Sequence, residues 1–322
     1  MRDGRRRSNV NRADIEHEPV LCEPLLALTA PRPGEIVVDA TVGHGGHARL
    51  LGQSLGPTGR LVGLDVDPVN LERARNRLER AFVGEAGPHL DLVQASFSDL
   101  DATLDELGIG RADVIVADLG VTTDQLLDSS RGLTFGEDGP LDMRFDERLP
   151  ETAADLINRL PERELADLIY HHSQERFSRR IAKSICQARR DRRLRRTSEL
   201  VRIVCSALGA SEATHRGKIH PATRTFLAFR IAVNRENERL RALLGSAPQR
   251  LSAGGRIAII SFHSGEDRVV KRDFLDRRRD GEYEIVTKKP IVPTSEEVRR
   301  NPRSRSAKLR VAVRTAERRG AA

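Results

Sequence analysis

Short apolar runs alternate with amphipathic stretches along the first 118 residues of the chain. Four runs rich in Val, Leu and Ile predict buried strands, at residues 35–40, 60–65, 90–95 and 113–118. Helical patterns separate these runs, and Asp67-Pro68 supplies a cap and a first-turn proline for a helix through Phe82. Strands that alternate with helices predict a mainly parallel sheet with helices on both faces. Such sheets bind ligands beyond the carboxyl ends of their strands.

The alternation is interrupted in the middle of the chain and resumes near its end. Residues 129–217 are helical in pattern, basic in composition and without a credible strand. The sheet pattern returns with an apolar run, a helix and two late strand candidates, at residues 254–262, 266–276, 283–287 and 308–314. We therefore predict a Rossmann-like α/β domain interrupted by a helical domain. The predicted divisions are a flexible basic tail at 1–16, a discontinuous α/β domain at 17–128 and 218–322, and the insertion at 129–217.

Basic residues are clustered along the chain. There are 55 Lys and Arg against 47 Asp and Glu, a formal net charge of +8. Ten of the 21 residues from Arg176 to Arg196 are basic, and further clusters lie at residues 2–7 and 299–319. Such clusters attract polyanions, because each neutralised phosphate releases condensed counterions. Solvated faces and tails carry similar runs, so the charge favours nucleic-acid contact without establishing it.

Cysteine usage and hydropathy indicate the compartment. Cys22, Cys186 and Cys205 are far apart and form no CxxC pair, so we expect neither a disulfide framework nor a metal site. No apolar run approaches the roughly 18 residues that span a bilayer, and the arginine-rich start lacks the apolar segment of a signal peptide. We expect a cytoplasmic protein without a membrane partner.

A glycine cluster follows the first predicted strand. The run DATVGHGGHA at 39–48 contains a G-x-G-x-x-A pattern, which allows a sharp turn and close approach to a ligand at a helix N-terminus. This pattern alone fits both NAD and S-adenosylmethionine. Asp39 could steer the cationic end of an amino acid, and Asp65 could accept the ribose hydroxyls. Phe97 could cover an adenine, and Asp118 ends the fourth strand beside the expected cleft. Together these residues favour S-adenosylmethionine.

Longer stretches resemble one family, the bacterial ribosomal RNA small-subunit methyltransferase H family, also called MraW. They are HEPVLCE (17–23), DATVGHGGHA (39–48), DLGVTTDQL (118–126), RGLTFGEDGPLDMRFD (131–146), KIHPATRTFLAFRIAVN (218–234), ISFHSGEDRVVK (260–271) and NPRSRSAKLR (301–310). The resemblance implies a class I S-adenosylmethionine-dependent methyltransferase acting on N4 of a cytosine at the P site, in the decoding region of 16S rRNA. It favours the small ribosomal subunit as the substrate.

The resemblance also assigns site residues. The implied cofactor contacts are Gly45, Gly46, His47, Asp65, Phe97, Asp118 and Gln125. This chain departs from the family pattern at several positions. Thr122-Thr123-Asp124 stands where Ser-Ser-Pro is common, Leu227 and Phe229 replace the usual Gln and Leu, and Gly265 replaces a Leu.

The residue that grips the target base is a separate question. DNA enzymes that methylate exocyclic amines use (S/D/N)-P-P-(Y/F/W) after the fourth strand, and here Asp118-Leu119-Gly120-Val121 keeps only the acid. Asp118 is therefore the expected proton acceptor. Candidates for gripping the base are Asp138, Asp142 and His263. The basic run at 176–196 is the expected clamp on the RNA backbone.

Several alternatives stay open. Asp65 lies about 20 residues after the glycine pattern, which also fits a NAD-linked oxidoreductase. The charge clusters also permit a non-catalytic RNA-binding assembly factor. Arg224 and Arg230 could either line the RNA rim or form internal salt bridges. The chemistry requires no metal, and a homodimer is compatible with the sequence.

Overall fold

A seven-stranded sheet with strand order β3-β2-β1-β4-β5-β7-β6 forms the centre of the molecule. The computed structural model describes residues 19–84, 87–213 and 219–316. The strands are β1 (Ile36–Asp39), β2 (Arg60–Asp65), β3 (His89–Gln94), β4 (Ala112–Asp118), β5 (Leu251–Ser261), β6 (Tyr283–Ile285) and β7 (Lys308–Arg314). The first five strands pair in parallel, and β7 pairs antiparallel with both β5 and β6. The mainly parallel sheet predicted from the sequence is confirmed.

Helices cover both faces of the sheet and form the insertion. They are α1 (Cys22–Thr29), α2 (Gly46–Gly52), α3 (Pro68–Ala81), α4 (Leu100–Glu106), α5 (Thr123–Leu127), α6 (Ala153–Arg159), α7 (Glu162–Ser173), α8 (Ser178–Asp191), α9 (Thr197–Leu208), α10 (Thr223–Val233), α11 (Glu236–Arg250), α12 (Ser264–Arg279) and α13 (Ser295–Arg300). The local sequence fixes several of their ends. Asp67, for example, accepts a hydrogen bond from the Val69 amide at the start of α3, in the capping role that the sequence predicted.

The two predicted late strands lie where the sequence pattern put them, and they pair antiparallel across a long connection. The chain between β6 and β7 contains α13, and Ile291 forms an isolated bridge with Leu309. This long connection brings residues 300–303 to the carboxyl edge of the parallel strands.

The helical insertion has a hydrophobic core of its own. Residues of α6, α7, α8 and α9 contribute to this core, and so do Phe226 and Phe229 of α10. The helical layer therefore extends beyond residue 217, where the sequence pattern placed its end. That boundary, between 217 and 218, falls within residues outside the described ranges, as does the predicted tail at 1–16.

Asn234 joins the insertion to the sheet domain. Its fully buried side chain donates to the Met143 carbonyl at 2.7 Å and accepts from the Phe145 amide at 2.8 Å. Buried hydrogen bonds of this kind fix the position of one segment against another, because breaking them leaves desolvated polar groups. Within the described ranges, no helix is long and apolar enough to cross a membrane.

Candidate active site

A cavity of about 470 Å³ opens at the carboxyl edge of the parallel strands. Segments that follow β1, β2, β3, β4 and β5 all line it, as expected for a ligand site in an open α/β sheet. Its volume lies in the range of about 300–1,000 Å³ that small-molecule sites occupy. The cavity therefore coincides with the cofactor cleft predicted from the sequence.

The glycine loop forms one wall of the cavity. Gly45 precedes α2 with a φ of 76°, and a Cβ there would lie 3.3 Å from the Ala74 Cα. A Cβ on Gly46 would come within 3.0 Å of the Pro19 ring. Gly46 and His47 line the cavity, whereas Gly45 lies behind it, against α3. Gly45 therefore shapes the loop that the predicted contacts belong to.

Asp65 ends β2 and faces the loop. Its Oδ2 accepts from the Gly43 amide at 3.0 Å and from Asn70 Nδ2 at 3.2 Å, while its Oδ1 accepts from the Asp67 amide at 2.8 Å. Burial raises the pKa of Asp65 to about 6. The carboxyl group is thus held rigidly at the edge of the cavity, and Phe97 lines the same cavity beyond β3.

Two other carboxyl groups have an oxygen without a partner in the described structure: that of Asp118, which lines the cavity, and that of Asp39, which precedes the lining residues Ala40 and Thr41. Asp39 Oδ2 and Asp118 Oδ1 are buried and accept no hydrogen bond from any described residue. Burial raises the pKa of Asp39 to about 6, and burial together with Glu266 raises the pKa of Asp118 to about 7. Buried acceptors without donors are costly unless a ligand satisfies them. S-adenosylmethionine fits this requirement, because it carries two positive charges, on its ammonium and its sulfonium groups.

His47 is buried between the N-terminal segment and Asp118. Its Nε2 lies 2.8 Å from the Val20 carbonyl, and its Nδ1 lies 3.6 Å from Asp118 Oδ2. The segment that presents Val20 is itself fixed, because the Leu21 amide donates to Glu297 Oε1 at 2.7 Å. Leu21 has a φ of 54°, in the left-handed region, which a leucine adopts only under such constraint.

Gln125 is buried at the start of α5 and lines the cavity. It forms a capping box with Thr122, and its Nε2 donates to Asp67 Oδ2 at 2.9 Å. Arg131 reaches the same oxygen at 2.7 Å. Sequence reasoning alone gave no signal for Gln125, because its partners lie in distant segments; only the family resemblance indicated it.

The three expected gripping residues lie elsewhere. Among the described residues that line the cavity, none is Asp138, Asp142 or His263. Arg144 binds both carboxylate oxygens of Asp142 at 2.8 Å, and Arg196 pairs with Asp138 at 2.9 Å. His263 caps α12 by accepting from the amides of Gly265 and Glu266. The geometry gives no support to contacts between these side chains and the target base.

Several side chains that the sequence did not indicate line the cavity instead. Asn234, Glu236, Glu266, Phe145 and Phe262 line the cavity on the side of the insertion. Nothing in the sequence around these residues indicated that they line the cavity. Glu266, for example, is one turn into a helix and becomes part of the cavity wall only because α12 begins at the carboxyl edge of the sheet.

An internal ion pair accounts for Arg230, whereas the side chain of Arg224 is 54% exposed and could still line the RNA rim. Arg230 binds both oxygens of Glu236 at 2.9 Å, and Arg224 lies 3.7 Å from Glu175.

In the described ranges, Glu236, His263 and Glu266 form the one group of three potential metal ligands. Arg230 already neutralises Glu236, and His263 Nδ1 already accepts backbone hydrogen bonds. The absence of a metal from the chemistry stays a prediction.

The fold and site together define the class of this protein. The strand order with an antiparallel β7, the glycine turn after β1 and the acids that end β2 and β4 are those of class I S-adenosylmethionine-dependent methyltransferases. The model of the MraW methylase family matches residues 14–315, and the chain belongs to that family. S-adenosylmethionine is accordingly the cofactor, and the NAD-linked alternative does not apply.

Curated relatives agree with this assignment. The chain is 44% identical to a ribosomal RNA small subunit methyltransferase H from Koribacter versatilis, over 93% of this chain and 94% of that protein. It is 47% identical to the protein of the same name from a Synechococcus species, over 93% and 95% of the two chains. A solved rRNA methylase from Streptococcus thermophilus superposes with a TM-score of 0.41 at 13% identity, over 90% of this chain and 92% of that one.

Proposed function

We propose that this protein methylates N4 of a cytosine at the P site in the decoding region of 16S rRNA, within the small ribosomal subunit. The names of its relatives support an rRNA of the small subunit as the substrate. The resemblance of the long motifs supports the cytosine and the target atom. The observation that carries the chemistry is the buried Asp118 oxygen without a donor at the end of β4.

An exocyclic amine matches that oxygen. The lone pair of cytosine N4 is delocalised into the ring, so the amine is a poor nucleophile until an acceptor holds one of its protons. Asp118 Oδ1 provides such an acceptor inside the cavity. The bound cofactor supplies a methyl group activated by a sulfonium. The protein's contribution is mainly to position the amine in line with that methyl, which is worth roughly 7–11 kcal/mol of barrier.

The target base has to leave its stack to reach Asp118. Other base-modifying enzymes extrude the nucleotide into a closed pocket. The wall formed by Phe145, Phe262 and Leu119 offers apolar surface for a flipped base beside the carboxylate. Asn234 fixes Phe145 relative to the sheet, so this wall is held in place before the RNA arrives.

The RNA strand contacts the insertion in this proposal. Arg176, Arg179, Arg180 and Lys183 are exposed at and near the start of α8, where they form the surface we call the α8 basic face. Within the described part of the chain, none of the four has an ion pair at 4.0 Å or less, and Arg176 stacks on the half-exposed Phe177 ring at 4.8 Å. Unpaired cations beside exposed aromatic rings suit phosphate contact and base stacking.

Asp118→Asn tests this proposal. Small subunits from a strain that lacks the protein would be methylated in single turnovers, and the modified nucleoside identified by mass spectrometry. We expect the variant to bind S-adenosylmethionine less tightly, because it lacks one acidic group near the cationic cofactor. At saturating cofactor it should transfer methyl about 100-fold to 10,000-fold more slowly, because an amide cannot accept the proton. Asp276→Asn, at an exposed position on α12, is the matched control.

The outcomes separate the alternatives. Unaltered transfer by Asp118→Asn contradicts the role of Asp118. Methylation at another atom or nucleotide contradicts the substrate assignment. No transfer by the unmodified protein, together with tight binding to the subunit, would favour the non-catalytic assembly factor.

A further inference from the structure

The two oxygens of Asp118 have different surroundings. Oδ1 is buried without a partner in the described structure, whereas Oδ2 lies 3.6 Å from Nδ1 of His47. The carboxyl group therefore has a buried oxygen without a described partner on one side and an imidazole on the other. The backbone amide of Asp118 donates to Thr41 Oγ1 at 2.6 Å, which fixes the end of the strand in this orientation.

The hydrogen bond on the far side of His47 determines its tautomer. A carbonyl oxygen can only accept, so the contact of 2.8 Å between the Val20 carbonyl and Nε2 places the ring proton on Nε2. In a neutral ring the lone pair is then on Nδ1, the nitrogen that faces Asp118. Burial lowers the pKa of His47, so the ring is neutral at neutral pH.

Both ring nitrogens of His47 thus face protein atoms. The side chain is only 5% exposed. The backbone of the loop can make the expected contact with the cofactor at His47. That contact therefore does not explain why the imidazole is oriented in this way. The negative groups around the ring are Asp39 and Asp118 at the ends of β1 and β4, and Glu297 on α13; Glu266 on α12 faces Asp118. These groups would stabilise a proton on the ring after it arrives.

We propose that His47 acts through Asp118 as a proton relay in methyl transfer. The new N–C bond forms as the S–C bond breaks, which leaves a neutral thioether and a positively charged N4. Asp118 Oδ1 takes a proton from N4. The protonated carboxyl group then turns so that this proton faces His47, and the proton passes to Nδ1, which gives a carboxylate beside an imidazolium. The ring loses the proton to water when the products leave. This inference rests on the proposed amine substrate and adds a positioning residue to it.

His47→Gln and His47→Asn test the relay. A glutamine amide can still donate to the Val20 carbonyl, whereas asparagine is too short to do so, and neither side chain has a basic nitrogen. We expect both variants to bind S-adenosylmethionine within about threefold of the unmodified protein by calorimetry. We expect their single-turnover rates to fall about 10-fold to 100-fold, because Asp118 must pass its proton to water. His89→Gln, an exposed histidine on β3, is the control.

The pH profile separates a relay from a structural role. The rate should rise with pH as Asp118 ionises. In the unmodified protein the imidazole offers the proton of the carboxyl group a second basic site, which raises the pH at which the pair loses that proton, so the rising limb should move to lower pH in both variants. A lower rate with an unmoved limb, an unchanged rate, or a rate that falls only in proportion to cofactor binding would each overturn the relay. The proposed function fails separately, if the unmodified protein does not methylate the subunit.

Discussion

Three buried carboxyl groups set the electrostatics of the cofactor site. Asp39, Asp65 and Asp118 have pKa values raised to about 6, about 6 and about 7, with burial as the largest cause in each case. In the unfolded chain the corresponding pKa is about 4. The folded protein therefore binds these protons more tightly. The contribution of these protons to stability is complete below about pH 4 and is lost as the pH rises through about 6 to 7.

Cofactor binding should reverse this loss. The cationic cofactor favours the ionised carboxylates, so its affinity should rise with pH up to about 7. Where one carboxyl group has to ionise, the affinity should change about tenfold per pH unit below its pKa. Thermal unfolding with and without S-adenosylmethionine, between about pH 5 and pH 8, measures this as a growing increase in Tm.

Asp39→Asn provides the matched comparison for that pH dependence. The amide keeps the shape of the side chain and removes one titrating group that the cofactor's ammonium would face. The increase in Tm should then depend less steeply on pH. An increase that is independent of pH in the unmodified protein would contradict the electrostatic account.

At the level of elements, the start of α12 shows how one glycine supports a helix cap. His263 Nδ1 accepts from the Gly265 amide at 3.2 Å and from the Glu266 amide at 3.3 Å. A Cβ on Gly265 would lie 2.9 Å from Nδ1 of that ring. The departure from the family's leucine at this position is therefore what gives the imidazole room to cap the helix.

Gly265→Leu should displace the His263 ring and lower the free energy of unfolding by about 1–2 kcal/mol through loss of the cap. Gly245→Ala on α11 is the control, because a Cβ there meets nothing within 4 Å. That substitution should raise stability by about 0.5–1 kcal/mol through helix propensity. Urea denaturation of both variants measures these changes, and equal stability of Gly265→Leu and the unmodified protein would contradict the capping role.

The elements also indicate what sequence can predict. The strands and their order along the chain followed from local apolar runs. Residues that end strands, such as Asp65 and Asp118, lie at the cleft independently of the conformation of the loops. Asp142 was a poor candidate for a different reason. Arg144, two residues later, satisfies it locally, and no pattern distinguishes such an acid from one that faces a ligand. Glu266 could not be found, because its position depends on where α12 packs.

At the level of the whole molecule, the α8 basic face lies apart from the cofactor cavity, because none of its four residues lines that cavity. The α8 basic face belongs to the insertion, which has its own hydrophobic core, whereas the cavity lies at the carboxyl edge of the sheet. Substitutions on that face should therefore affect RNA binding and leave cofactor binding unchanged. Such a separation allows each function to be measured alone.

Arg179→Ala combined with Lys183→Ala removes two exposed charges from that face. The affinity for the small subunit should fall, and the slope of log affinity against log salt should decrease by about one to two. Arg272→Ala with Arg278→Ala is the matched control, because both residues are exposed on later turns of α12, which leads away from the cavity. An equal loss of affinity in the two pairs would indicate a general charge effect and contradict an RNA surface on α8.

The attachment of Leu21 to Glu297 has a consequence for how the protein is made. The loop glycines, Asp65 and Asp118 are all present once the first half of the chain has been synthesised. The Val20 carbonyl that orients His47 is fixed only after Glu297 has been translated, and β7 then completes the sheet beside β5. The hydrophobic core of the insertion can thus form in a nascent chain before the histidine is aligned. The orientation of His47 is therefore one of the last features of the site to form during synthesis.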